Sequence, residues 1–349
     1  MHFQLTDDQR ALKAGVRALL AGRFGREALR AAADRPGVLD RALWRELGEA
    51  GFFALRLPEA EGGVGLGLPE AVLAFEEAGR ALLPGPLVAT HLAAGEVAGA
   101  ATGETVVTAA SGGLVEWLTE ADVVRGDATG AVPLVSVDPL TPLHRLPRSP
   151  EASPDVFPDA SAGVSPGISA GVLPGVSPGG SAGVSPSTSA GALPGGSAGV
   201  SPGASADDEP DPVAVLLTAA EQLGGAARTC ELAVEYARTR KQFGQPIGAF
   251  QAVKHLCAQS LVRVETARAA VYAAAVTVDP LDIAAARLLA DDAALRGARD
   301  CLQVHGGMGF TWEAETHLFL KRAWVRTQRM SSNTYSDELL AADLLSGVG

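Results

Sequence analysis

A chain of 349 residues, 47% hydrophobic and 19% charged, has the composition of a globular protein with room for more than one domain. Its net charge of −12 argues against nucleic-acid binding, which wants basic patches, and against adsorption to an anionic membrane surface. No apolar run reaches the ~18 residues of a membrane span. The start carries Asp7 and Asp8 in place of a signal peptide's basic and apolar regions, and Cys230, Cys257 and Cys301 lack metal-ligand spacing. A cytoplasmic protein with reduced, buried thiols and no metal is expected.

In chain order, residues 4–30 read as one amphipathic helix, with Thr6 as N-cap and Asp7 and Asp8 in the first turn. Asp40 opens a second helix that Gly51 is placed to end. The glycines of LRLPEAEGGVGLGLPE break helical periodicity, so this stretch is expected to be a loop. Pro69 stands near the first turn of a third helix, stopped by Pro84-Gly85-Pro86, and a fourth is expected over 87–101. From Glu104 the pattern changes to short β-branched runs, TVVTAASGG, EADVVRGD and VPLVSVDPL, bounded by Gly, Asp and Pro.

Between Asp159 and Ala206 there is no Lys, Arg, His or aromatic residue, and SAGVSP recurs at 161–166, 181–186 and 197–202. Such a segment cannot bury enough surface to offset its ordering entropy, and its irregular glycine spacing excludes collagen. Long helices follow over 213–239, 250–277 and 280–305, with one or two more over 314–345. The expected fold is mainly α with a small middle β-domain. The expected domains are helical 1–103, β 104–149, a disordered Ser/Gly/Pro/Ala-rich insertion 150–209, and a helical bundle 210–349.

Two stretches carry chemistry. In Arg240-Lys-Gln-Phe243-Gly244-Gln-Pro246 a helix ends in cations, then turns into the next helix through Gly and Pro. Fixed cations, an exposed ring and amides could hold a phosphate and stack a flat ring; an ordinary helical hairpin with solvated basic ends has the same composition. In Gln303-Val-His305-Gly306-Gly307-Met-Gly309 the glycines let a backbone approach a ligand closely, or simply cap a helix and turn.

RKQFGQPIGAFQAVKH resembles the flavin-contacting hairpin of the acyl-CoA dehydrogenases, and QVHGGMGFTWE resembles their glycine-rich flavin loop. LGEAGFFALRLPEAEGGVGLGLPEAVLAFEEAGRALLPGP is similar to their N-terminal signature of a PEE-type turn, GGxG and an EExGR helix. The resemblance covers 1–147 and 213–345. It implies an N-terminal α-domain, a middle β-domain and a C-terminal four-helix bundle that assembles into oligomers. It also implies FAD between subunits and an acyl-CoA thioester as substrate. On that resemblance Arg240 pairs with a neighbour's FAD pyrophosphate, Phe243 packs on the cofactor, and Gln251, Gln303, Gly306 and Gly307 complete the contribution.

The chain departs from the family where the base should be. Members abstract the substrate's α-proton with a glutamate while the flavin takes the β-hydride. The two positions that members use align with Met330 and Ala214, neither of which can take a proton. The family's TEPxAGSD and WITN-like runs are missing; Leu118-Thr119-Glu120-Ala121-Asp122 is a faint remnant of the first. Three readings follow. The chain is a partner subunit of a catalytic paralogue in a heterotetramer; a homo-oligomeric enzyme with its base moved to Glu313, Asp337 or Glu338; or a flavin-free scaffold or flavin-fold enzyme of another reaction type.

Overall fold

The computed structural model describes residues 4–111, 113–147, 211–329 and 332–346. The insertion expected at 150–209 and Met330 lie outside them.

Helix α1 (Asp7–Arg23) starts at the expected cap, where Thr6 and Gln9 exchange side-chain and backbone hydrogen bonds at 3.2 and 3.0 Å. The single helix expected over 4–30 is in fact two. Phe24 leaves the helical region at φ −129°, Gly25 caps α2 (Arg26–Ala33), and the break turns Leu20, Phe24 and Leu29 into one core. Helix α3 (Arg41–Glu49) is capped by Asp40 and followed by Gly51 at φ +79°. Helix α4 (Leu68–Arg80) ends a turn before the Pro84-Gly85-Pro86 stop, at a left-handed Leu82. Helix α5 covers only Leu87–Leu92, not 87–101; Gly99, at φ +81°, belongs to the turns that replace its second half.

Five short strands form one sheet: β1 (Val107–Ser111), β2 (Leu114–Glu116), β3 (Val123–Arg125), β4 (Val132–Leu134) and β5 (Leu143–Arg145), in the order β3-β1-β2-β5-β4. β1 and β3 run parallel, with Val107 opposite Val123; the other pairs are antiparallel. Each expected run holds a strand, whereas β2 and β5 are three-residue strands that carry Glu116 and Arg145 and show no sequence alternation.

The second half is helical: α6 (Pro212–Thr239), α7 (Gln251–Thr277), α8 (Pro280–His305), α9 (Thr316–Arg329) and α10 (Ser332–Ser346). Helices α4 and α6 meet almost backbone to backbone. A Cβ on Gly79 would stand 1.9 Å from the Glu221 carbonyl oxygen, and one on Gly224 would stand 1.8 Å from that of Glu76. This reciprocal contact explains the glycine of the EExGR stretch. Its buried glutamates dock neighbouring helices: Arg17 donates to both oxygens of Glu77 at 2.7 and 2.6 Å, and Tyr272 donates to Glu76 at 2.6 Å.

A second buried network ties α9 to the rest. Arg322 is paired with Asp138 and donates to the Leu83 carbonyl at 3.2 Å; Arg326 donates to Glu221 at 2.7 Å. Burial raises the Glu221 carboxyl above its ordinary value and lowers the Arg326 guanidinium. Neither shift was legible in the sequence, where both residues look like ordinary helix charges.

Candidate flavin-contacting face

Helix α6 ends at Arg240, whose backbone NH still caps onto the Tyr236 carbonyl while its φ and ψ turn extended. The chain then forms a minimal hairpin, β6 (Lys241–Gln242) and β7 (Gln245–Pro246). Its two central residues, Phe243 and Gly244, lie at φ +51° and +78°. This pattern of two left-handed residues suits a tight hairpin, and it normally selects Asn or Gly first. A phenylalanine there holds strain on the order of 1–3 kcal/mol. The ring gains little in return from its own chain. It is 92% exposed and touches Phe250 edge to face at 6.0 Å.

The glycine loop follows α8 as a 3-10 turn, Gly306–Phe310. Gly306 needs its identity for backbone reasons, at φ +59°. Gly307 does not: its φ is not left-handed, and a Cβ there would meet nothing within 4 Å. No described residue of the chain asks position 307 to be glycine. Met308, Phe310 and Trp312 stand out of the same loop at 49%, 71% and 62% exposure. The loop is braced from behind, where the buried Thr316 hydroxyl donates to the Gly309 carbonyl at 2.9 Å.

Hairpin and loop share one end of the bundle. Tyr236 stacks on His305 at 4.2 Å, and Ala233, Ala237, Cys301 and Val304 form a small cluster there with Ile247 against it. His305 Nδ1 lies 2.8 Å from the Cys301 carbonyl, so this histidine is a structural spacer between the two motifs. The six residues singled out from the sequence, Arg240, Phe243, Gln251, Gln303, Gly306 and Gly307, are all exposed. Arg240 has no ion pair with another described residue.

Beside this end opens a cavity of about 770 Å³ between α1, α2, α4, α6 and the glycine loop. Three of its four arginines are committed to carboxylates, Arg17 to Glu77, Arg80 to Glu231, and Arg228 to Glu315 at 3.4 Å, and the fourth, Arg26, donates to the Glu313 carbonyl at 2.6 Å. The sequence reading missed this cavity because its walls come from residues far apart in the chain.

The residues considered for a base are placed as follows. Ala214 lies in the first turn of α6, where its carbonyl accepts from Thr218 at 2.7 Å. Glu313, Asp337 and Glu338 are exposed. Glu221, a buried carboxylate of α6, is tied to Arg326 and does not line this cavity. Cys230, Cys257 and Cys301 are free thiols, and burial pushes Cys301 up to about 12. Among the described residues no group of three or more His, Cys, Asp or Glu could hold a metal ion, and no helix is long and apolar enough to cross a membrane.

This chain belongs to the acyl-CoA dehydrogenase family, FAD-linked oxidoreductases acting on CH–CH groups. The model of the family's N-terminal domain matches residues 6–105, and that of its C-terminal domain matches 214–332. Acyl-CoA dehydrogenase IpdE2 of Mycobacterium tuberculosis is 35% identical over 337 residues, 93% of this chain and 94% of that protein. Among solved structures, the ChsE4-ChsE5 complex from Mycobacterium tuberculosis matches with a TM-score of 0.71 at 22% identity, over 99% of both chains. Butyryl-CoA dehydrogenase from Megasphaera elsdenii matches with a TM-score of 0.70 at 17% identity, over 99% of this chain and 100% of that one.

Proposed function

We propose that this chain is the non-catalytic subunit of a two-chain acyl-CoA dehydrogenase, completing with its hairpin and glycine loop an FAD site held chiefly by a catalytic paralogue. The observation that carries the reading is the bundle end itself. All six residues face outward there, and Phe243 and Gly307 have a strain and an identity that the chain's own packing does not require.

The residues present fit FAD. Arg240 is free to make charge-assisted bonds to the pyrophosphate, and Phe243 offers a ring to pack on the cofactor. Gln251 and Gln303 supply amides, and Gly306 and Gly307 let the backbone come close. Bound FAD supplies hydride acceptance in the α,β-dehydrogenation of an acyl-CoA thioester. This chain's part is to bind and orient the cofactor; with Ala214 at one base position it moves no proton there, so proton abstraction falls to the paralogue. The likeness to the ChsE4-ChsE5 complex supports a two-chain assembly, taken here as a heterotetramer in the cytoplasm. In this frame residues 1–103, 104–149 and 210–349 are the three working domains.

The reading is tested by purifying the chain alone, a glutamate-bearing paralogue alone, and the two together, then measuring bound flavin and dye reduction. Turnover is expected only from the pair. Arg240→Ala should cost the pair on the order of 1.5–3 kcal/mol of flavin affinity while leaving this chain's melting unchanged. Robust turnover by the lone, unmutated chain overturns the reading and returns the search to Glu313, Asp337 and Glu338.

A further inference from the structure

The glycine loop is held from its far side by a device that the family resemblance does not supply. Arg26 and Arg30 stand one turn apart on α2, and both reach the same backbone carbonyl, that of Glu313, three residues after the loop's 3-10 turn. Arg26 Nη2 donates to it at 2.6 Å, and Arg30 Nη2 donates to it as well. Neither arginine has an ion pair with a carboxylate among the described residues. Two guanidinium groups brought to one neutral oxygen repel each other, and no carboxylate of a described residue stands within ion-pair distance of either, so their convergence needs a reason. They line a cavity of about 220 Å³ together with Asp34, Trp312, Glu313, Glu315 and Leu318.

We infer that Arg26 and Arg30 are positioning residues that set the glycine loop at the height needed for the FAD contact. The inference rests on the proposed composite site. Met308, Phe310 and Trp312 stand out of the loop's outward face, largely exposed. Its inward anchors are the Thr316 bond to Gly309 and the two arginine bonds to Glu313. Thr316 fixes the loop's middle, and α2 fixes its exit. Freed from α2, the segment from Phe310 to Glu313 can swing, carrying Trp312 away from His317, whose ring it meets edge to face at 4.9 Å, and from Lys321, whose ammonium lies 4.8 Å from the indole centroid.

Trp312 makes the positioning measurable without any flavin. Trp44 and Trp117 are buried, so in a Trp324→Phe background Trp312 is the accessible indole. The double variant Arg26→Ala/Arg30→Ala should raise acrylamide quenching of Trp312 with little change in melting temperature, and Arg26→Lys/Arg30→Lys should restore the original quenching. In the complex with the FAD-bearing paralogue, the alanine pair should weaken flavin binding about tenfold, the change that ~1.4 kcal/mol produces. Arg240→Ala and Gly307→Ala run alongside. If those two leave flavin binding unchanged, the composite-site reading fails. If they weaken it while the α2 alanine pair changes neither quenching nor flavin binding, the positioning role is wrong. Altered quenching with normal flavin binding, or a general loss of melting temperature that lysine does not rescue, overturns it equally.

Discussion

Replacing Gly224 by Ala tests the packing that holds the first half of the chain to the bundle. The new methyl would stand 1.8 Å from the Glu76 carbonyl oxygen and 2.7 Å from the Arg80 nitrogen, both backbone atoms of α4. Neither can rotate away, so α4 and α6 must part by about 1.6 Å to bring the 1.8 Å approach out to an ordinary 3.4 Å contact. A 0.5–1 Å gap forfeits about a quarter to a half of each contact's dispersion well. Overpacking usually costs about 1–3 kcal/mol, and a backbone-to-backbone clash belongs at or above the top of that range. Alanine's helix propensity returns ~1 kcal/mol. The net loss should be about 2–3 kcal/mol, read by urea unfolding followed by far-UV circular dichroism. Gly15→Ala is the control: it lies exposed in α1 with nothing within 4 Å of the new atom, and should gain ~0.5–1 kcal/mol. Equal midpoints for Gly224→Ala and Gly15→Ala would refute the close-crossing explanation.

Two further outcomes follow from buried charge. His91 lies 5% exposed against Phe75, and burial, then the Arg56 charge, lower its ring to about 4. Because the unfolded ring binds a proton near pH 6.5, the stability it contributes is full above that pH and is lost as pH falls toward 4. Denaturation from pH 7 to about pH 4.5 should show a loss of roughly 2–3 kcal/mol that His91→Gln lacks, and parallel pH slopes would exclude it. For the Glu221–Arg326 pair, Arg326→Met alone should cost on the order of 3–5 kcal/mol by stranding a buried carboxylate, whereas Glu221→Leu/Arg326→Met should recover most of it. A double variant as unstable as the single would show that the loss comes from packing and not from charge.

The local parts of this fold were legible because their causes are local. Thr6 and Asp40 announce helix starts, and the three long bundle helices lie within a residue or two of their expected limits because their Ala-rich runs are bounded by Pro and Gly. The hairpin and glycine loop were readable for the same reason: each is a continuous string whose turn residues specify its backbone. Gly25, inside an otherwise helical pattern, gave no sign of breaking the first helix, and β2 and β5 are too short for alternation to register. What supports the candidate face is non-local. The Gly79–Gly224 contact, the Asp138–Arg322 pair and the α2 hold on Glu313 join residues up to 287 positions apart, and no sequence period connects them.

The central claim is that this chain's glycine loop serves a cofactor held mostly by another subunit, and Gly307→Ala tests it most directly. Among the described residues the added methyl meets nothing within 4 Å, at a backbone φ that alanine accepts. The variant should therefore fold, melt and co-purify with a catalytic paralogue as the natural chain does, yet the complex should retain markedly less flavin. A complex of Gly307→Ala with full flavin content would contradict the claim.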